Sequence, residues 1–400
     1  MEQVIMKKAR ETGHTVNNML VMLMAVTCGL VVANIYYNQP LLLQMATTFG
    51  VNDQQISVIA TITQVGYTLG LLFIVPLGDK TERKKLILFK LAGAAVFMGM
   101  AAMATHYWTM VIASLLIGFF SAVPQLLLPM AATLAPDATR GKIVGKVMSG
   151  LLVGILLSRT LSGFVGAHFG WQAVFFSGSF AMVILWIVLA WKLPENPPSF
   201  EGSYGSLMRS LGTLTKELPP LRQAAFTGFF MFGAFSIFWT TLVFLLEGAP
   251  FYYKSDMVGL FGLIGTCGAL AAPLAGKSAD TKGPQFAIRL GIIGALLAFV
   301  IMGFSAGSLT GLIIGVILLD IGMQITHISN QSKVFALRPQ ARSRLNTIYI
   351  SSAFAGGSIG SLLGAQAWNY WQWTGVTILG AVFIISAAII NLKKQPITSI

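Results

Sequence analysis

Asp320 is an acid deep inside an apolar run that covers 310–335, and Gln324, His327 and Gln331 follow it at i+4, i+7 and i+11. On a helix that spacing lays all four side chains along one stripe. An ionised carboxylate about 15 Å into hydrocarbon is costly, which suits Asp320 to taking up and releasing a proton, and a polar stripe at that depth must face protein or a water-filled cavity. The same pattern also fits a permanently paired carboxylate with the amides as interhelical hydrogen bonds, and His327 taken alone fits a packed histidine equally well. One His, one Asp and a few amides lack the donor set of a metal centre, so no metal is expected. A second buried charge, Arg159, lies about 12 Å from the end of the run 143–167. A guanidinium stays protonated and therefore needs an anion, water or a route to the interface. Asp320 is one candidate partner, Glu247 another, and snorkelling to the surface a third reading. Asp320, Arg159 and His327 are the candidate proton-coupling residues.

Other features divide into candidates and decoys. Asn34, Tyr36, Tyr37, Asn38, Gln39 and Pro40 interrupt the first apolar run, while Phe232, Phe235, Phe238 and Trp239 recur at helical spacing further on. Such aromatic spacing also fits a core or a lipid-facing surface. Gly276-Lys277-Ser278 lacks the first glycine of a phosphate-binding loop, which would fall at Ala271, and no strand precedes it. Gly356, Gly357, Gly360 and Gly364 read as close helix packing. Cys28 and Cys267 lie in apolar runs without a C-x-x-C spacing, so neither a disulfide framework nor a thiolate metal site is indicated. No H-E-x-x-H occurs, which leaves a membrane-embedded enzyme as a remote alternative. No cofactor is expected.

The elements that must position these residues are long apolar helices. Hydrophobic residues make up 55% of the 400, with 42 glycines besides, and only 10% are charged. That excludes an ordinary soluble enzyme. Apolar runs fall near 19–42, 56–77, 86–104, 108–132, 143–167 and 172–191, and again near 223–246, 257–276, 286–304, 310–335, 345–368 and 374–391. Each has about the length that crosses a bilayer. The proline-rich polar stretch 193–222 reads as a linker between an N-terminal bundle, 1–192, and a C-terminal bundle, 223–400. With both termini placed in the cytoplasm, every lysine and arginine except Arg159 and Lys254 falls on the cytoplasmic side. The net charge of +13 thus expresses topology and not nucleic-acid binding. The halves also repeat at an offset of about 200 residues: Leu77-Gly78-Asp79 meets Ser278-Ala279-Asp280, and Phe169-Gly170-Trp171 meets Trp371-Gln372-Trp373. The expected fold is an all-α membrane protein of twelve transmembrane helices in two six-helix bundles related by that repeat, with a site between them near the bilayer midplane.

Pro76 to Lys85, with Leu77, Asp79, Lys80, Arg83 and Lys84 matching, resembles the signature between spans two and three of the major facilitator superfamily, G-x-L-a-D-r-x-G-R-[RK]. Val75 and Glu82 replace two of its glycines, and Gly276-x-x-x-Asp280-x-x-Gly283 supplies a second, partial copy. The chain looks most similar to twelve-helix proton-driven exporters of drugs and metabolites, although the Gly-Pro pair of their fifth span is Ser158-Arg159 here. The resemblance implies that spans one, four, seven and ten surround the cavity, which would make Asn34, Tyr36, Asn38, Gln125, Trp239, Gln324 and Gln331 substrate-facing, and that Asp79, Arg83 and Asp280 serve a cytoplasmic gate. It implies a monomeric transporter of the inner (cytoplasmic) membrane, exchanging protons for a small organic substrate. Proton-coupled uptake of a sugar or similar metabolite is the alternative.

Overall fold

The computed structural model describes residues 17–136, 139–198, 202–265, 283–338 and 341–392. Helices and turns make up these residues, and no strand occurs among them. In hydrocarbon each backbone N–H and C=O must be satisfied within its own segment, which is why an apolar chain of this kind becomes helices. Nine described helices are long and apolar enough to cross a membrane. The last of them, Arg342–Leu392, is two spans joined at a reversal on Gln372, and the shorter apolar helices Asn18–Ala33 and Ser255–Ile264 supply two more. Each of the twelve apolar runs of the sequence reading thus carries at least part of a described helix.

Local chemistry sets the boundaries. Asn52 and Gln55 close a reciprocal cap at the start of the second span, Asp53–Lys80, with the Gln55 N–H donating to Asn52 Oδ1 at 2.8 Å. Ser308 caps the tenth span, Leu309–Leu337, in the same sense. The first span differs from the single run 19–42: its helix stops at Ala33, the polar residues 34–38 form turns, and Gln39–Leu41 and Leu42–Phe49 carry the chain onward. The rest of the expected run 257–276, with Cys267, and Asp280 after it lie outside the described residues. The repeat reappears in the backbone. Gly170, between the fifth and sixth spans, has φ +83°, and Gln372, between the eleventh and twelfth, has φ +51°. Both junctions turn through left-handed conformation, which glycine adopts freely and glutamine does not.

The linker contains a helix that its prolines conceal. Tyr204–Glu217 buries Leu207, Leu211 and Leu214 on one face, Ser203 caps it, and the Tyr204 hydroxyl donates to the Phe73 carbonyl at 2.9 Å. That carbonyl belongs to a π-helical turn of the second span, Gly70–Ile74. Lys90 departs from its expected place with the basic loop 80–85. It is 0% exposed in the third span, Arg83–Ala102, and its ammonium donates to the Phe119 carbonyl while lying 4.9 Å from the Phe119 ring centroid. The fourth span breaks there, Tyr107–Phe120 being followed by Pro124–Leu134. Pro124 has no N–H to return to the preceding turn, so the first segment ends in carbonyls that need other donors. The Lys90 ammonium meets both that need and the negative end of the segment's dipole.

Candidate functional site

Arg159 lies in the fifth span, Arg140–Phe169, at 3% exposure. Its Nε donates to Gln39 Oε1 at 2.7 Å. Three rings surround the guanidinium carbon: Trp239 at 4.1 Å, Tyr36 at 4.7 Å and Phe235 at 5.7 Å from their centroids. Tyr36 and Gln39 come from the interrupted end of the first span, and Phe235 and Trp239 from the seventh, Pro219–Glu247. The cation therefore sits where the two halves meet. Arg159 Nη2 and Trp239 Nε1 are buried without hydrogen-bond partners.

Asp320 lies beside it at 7% exposure, with Oδ2 also lacking a partner. The eighth span packs against both residues. A Cβ on Gly262 would come within 3.0 Å of Arg159 Cβ, and a Cβ on Gly265, about one turn further along, within 3.1 Å of Asp320 Oδ1. Among the described residues no ion pair within 4.0 Å joins Arg159 to Asp320 or to Glu247. The carboxyl and the guanidinium thus belong to residues that border the same helix, each with an open hydrogen-bonding position.

The halves meet closely at the end of the bundle away from the basic loops. Gln44 Nε2 donates to Ser255 Oγ at 2.8 Å, Thr160 Oγ1 to the Gly259 carbonyl at 2.9 Å, and Trp368 Nε1 to Asp53 Oδ2 at 3.2 Å. Gly259 is required by that approach, since a Cβ there would stand 2.7 Å from the Arg159 carbonyl oxygen. Nearer the middle, Gln64 Nε2 donates to Ser361 Oγ at 2.9 Å and Gln64 Oε1 accepts from Ser236 Oγ at 3.2 Å. At the basic end, Gln331 Nε2 donates to Asn346 Oδ1 at 2.9 Å and Asn346 Nδ2 to Gln125 Oε1 at 3.3 Å. This last link is the one hydrogen bond between the halves at that end among the described residues.

The other expected residues distribute as follows. Asn34 donates to Ser121 Oγ at 3.4 Å, and Asn38 to Thr63 Oγ1 at 3.0 Å; both are bonds inside the first half, and both asparagines leave Oδ1 unpartnered. His327 Nδ1 lies 3.1 Å from the Tyr349 hydroxyl, a contact within the second half and away from Arg159. Gln324 is half-buried on the Asp320 stripe. Asp79 pairs with Arg83 at 2.9 Å, and Arg83 also donates to Asn196 Oδ1 at 3.0 Å, so this pair ties the loop to the start of the linker, just past the sixth span. Asp280 is outside the described residues. A groove of about 620 Å³ between spans one and five, from Asn18 and Lys146 to Tyr37 and Leu161, is apolar and reaches neither Asp320 nor Arg159. Sequence reading missed Gln64, Asn346 and the roles of Gln39 and Lys90. The signal for Gln64 is an amide in the apolar run 56–77; Gln39 was visible only as part of a polar interruption.

A span count of twelve, a repeat and a polar centre between the halves define a membrane carrier. The chain belongs to the Major Facilitator Superfamily, whose family model matches residues 21–337. It is 40% identical over 380 residues to a protein of Escherichia coli strain K12 named as the transporter YgaY, covering 95% of each chain. A protein of Streptomyces coelicolor named as the transporter SCO4007 is 31% identical over 364 residues, or 91% of this chain and 84% of its own. Among solved structures, an inward-facing bacterial homolog of the human lysosomal transporter Spinster matches with TM-score 0.74 at 11% identity, over 93% of this chain and 95% of that one. The nucleoside transporter NupG matches with TM-score 0.70 at 14% identity, over 93% and 98%. The protein is a multi-pass membrane transporter and not an enzyme.

Proposed function

We propose that the protein is a proton-coupled antiporter that moves a small organic molecule outward across the cytoplasmic membrane by alternating access. In this reading the basic end and both termini face the cytoplasm, as the distribution of lysine and arginine favours. The halves 1–192 and 223–400 rock as two bodies in a monomer, with 193–222 as the linker between them. The observation that carries the proposal is Asp320. It is a buried carboxyl with an open oxygen, one helical turn along the eighth span from an incompletely bonded Arg159. Ionised, it is favoured near the guanidinium; protonated, it loses that attraction. Movement between the halves changes their separation, so proton occupancy and conformation bias one another. Closure away from the basic end rests on Gln44, Ser255, Thr160 and Gly259, and closure at the basic end on Gln125 and Asn346 with the Asp79 loop.

Proton-coupled uptake is the second reading, and one observation favours it: an acid and a guanidinium that each keep one unbonded atom can load a proton and an anion together. Solute profiles of cells overproducing the wild-type protein or Asp320→Asn, with and without a protonophore, test the proposal. Export gives a solute depleted inside and enriched in the medium only with wild type and only with the gradient intact. Enrichment inside selects uptake, and identical profiles for the two proteins contradict both.

A further inference from the structure

A cation at this depth ought to be fully bonded, and Arg159 is not. Its Nε is bonded to Gln39, and Tyr36, Phe235 and Trp239 offer their ring faces, yet Nη2 is buried with no acceptor. Ring faces compensate part of a cation's lost hydration and none of its hydrogen bonding. A charged donor left unbonded in a dry interior is strongly unfavourable. The Trp239 indole N–H, on the ring stacked 4.1 Å from the guanidinium carbon, is a second donor in the same condition. Two open donors, one of them charged, ask for an acceptor that carries negative charge. Neither acid near enough to be considered supplies it, since no ion pair within 4.0 Å reaches Asp320 or Glu247.

We propose that the transported molecule is an amphipathic organic anion, a carboxylate on an apolar body, whose carboxylate oxygens are held by Arg159 Nη2 and Trp239 Nε1. This rests on the proposal that the centre between the halves is the transport site, and it does not depend on the direction of transport. The carboxylate accepts from both donors and neutralises the guanidinium, which a neutral amide cannot do and an ammonium opposes. The apolar body faces an aromatic wall. Phe232 stacks with Phe235 at 5.7 Å and lies 4.6 Å from Phe354 between ring centroids, so spans seven and eleven present contiguous ring surface next to the cation.

The test uses the purified full-length protein with three matched probes, 4-phenylbutyrate, 4-phenylbutyramide and 4-phenylbutylamine, read by thermal unfolding and calorimetric titration. Expected is binding of the carboxylate at least about tenfold tighter than the amide or the amine, which corresponds to one charge-assisted hydrogen bond. Arg159→Gln abolishes the preference. Trp239→Phe keeps the ring and removes the N–H, and weakens the carboxylate alone, so the proposal stays testable even where the arginine variant misfolds. No binding of the carboxylate, equal or tighter binding of the amine or amide, or a preference unchanged in both variants would overturn it. Asp320→Asn separates the two proposals, since it is expected to keep the carboxylate preference. If that variant also keeps gradient-driven transport, proton coupling through Asp320 fails while the anion site stands. If the wild type exports a solute in the cell profiles and shows no carboxylate preference, the anion site alone fails.

Discussion

Lys90 and Arg159 both lie inside the apolar body of the protein, and they are held in opposite ways. Lys90 is enclosed within the first half, donating to the carbonyl of Phe119 at the break in the fourth span. Arg159 stands between the halves, ringed by aromatic faces from spans one and seven, and keeps a nitrogen open. A charge satisfied by the backbone of its own bundle stays satisfied when the bundles move, so Lys90 is a structural cap. A charge whose surroundings come from both bundles changes its environment with every movement. The location of the open bond, more than burial, separates the cation that builds the carrier from the one that works in it.

This contrast is broken most directly by exchanging the two effects. Arg159→Gln is expected to abolish concentrative transport while leaving the unfolding temperature near that of the wild type, and Lys90→Met to do the reverse, lowering stability by about 1–3 kcal/mol with transport per folded molecule preserved. Transport assays and thermal unfolding on both variants check this; a destabilised Arg159 variant with normal turnover would erase the distinction. Next in size is Gly259→Leu. Its side chain would drive into the Arg159 carbonyl and the Gly163 backbone, so closure away from the basic end fails and transport falls severely. Cysteine cross-linking of Gln44 and Ser255 replacements, lost in that background, measures it. The Gln125–Asn346 link should matter less, each alanine slowing transport by a few-fold, with an interaction energy of about 0.5–3 kcal/mol in a double-mutant cycle. Strict additivity would remove that link from the gate. The smallest effect is expected for Asp79→Asn, which changes transport rate and leaves equilibrium substrate affinity unaltered, because its partner Arg83 lies at the loop and not in the centre.

The sequence makes the charges of the centre conspicuous, because hydrocarbon tolerates so few: Asp320 and Arg159 stand out by type and depth alone. Tyr36 and Trp239 were readable as aromatic residues near polar positions, but nothing in their spacing says that both stack on one guanidinium. That depends on how spans one, five and seven pack. Gln125 and Gln331 read as cavity residues, and that they join through Asn346 at the basic end is a tertiary fact without a local signal. Lys90 read with the basic loop because it stands only seven positions after Arg83; the broken fourth span that receives it lies elsewhere in the chain. The helix Tyr204–Glu217 was in principle visible from Leu207, Leu211 and Leu214, and the flanking prolines drew attention to the linker's breaks over its periodicity.

The central claim is that Asp320 ties proton movement to the movement of solute. The most direct measurement reconstitutes the wild type and Asp320→Asn in proteoliposomes and follows the solute identified in the cell profiles under two regimes: exchange at equal pH on both sides, and accumulation against its gradient with an imposed pH difference. Exchange is expected to persist in the variant, since the amide keeps the shape of the site, while accumulation driven by the pH difference is lost because nothing titrates. Full gradient-driven accumulation by Asp320→Asn would contradict the account.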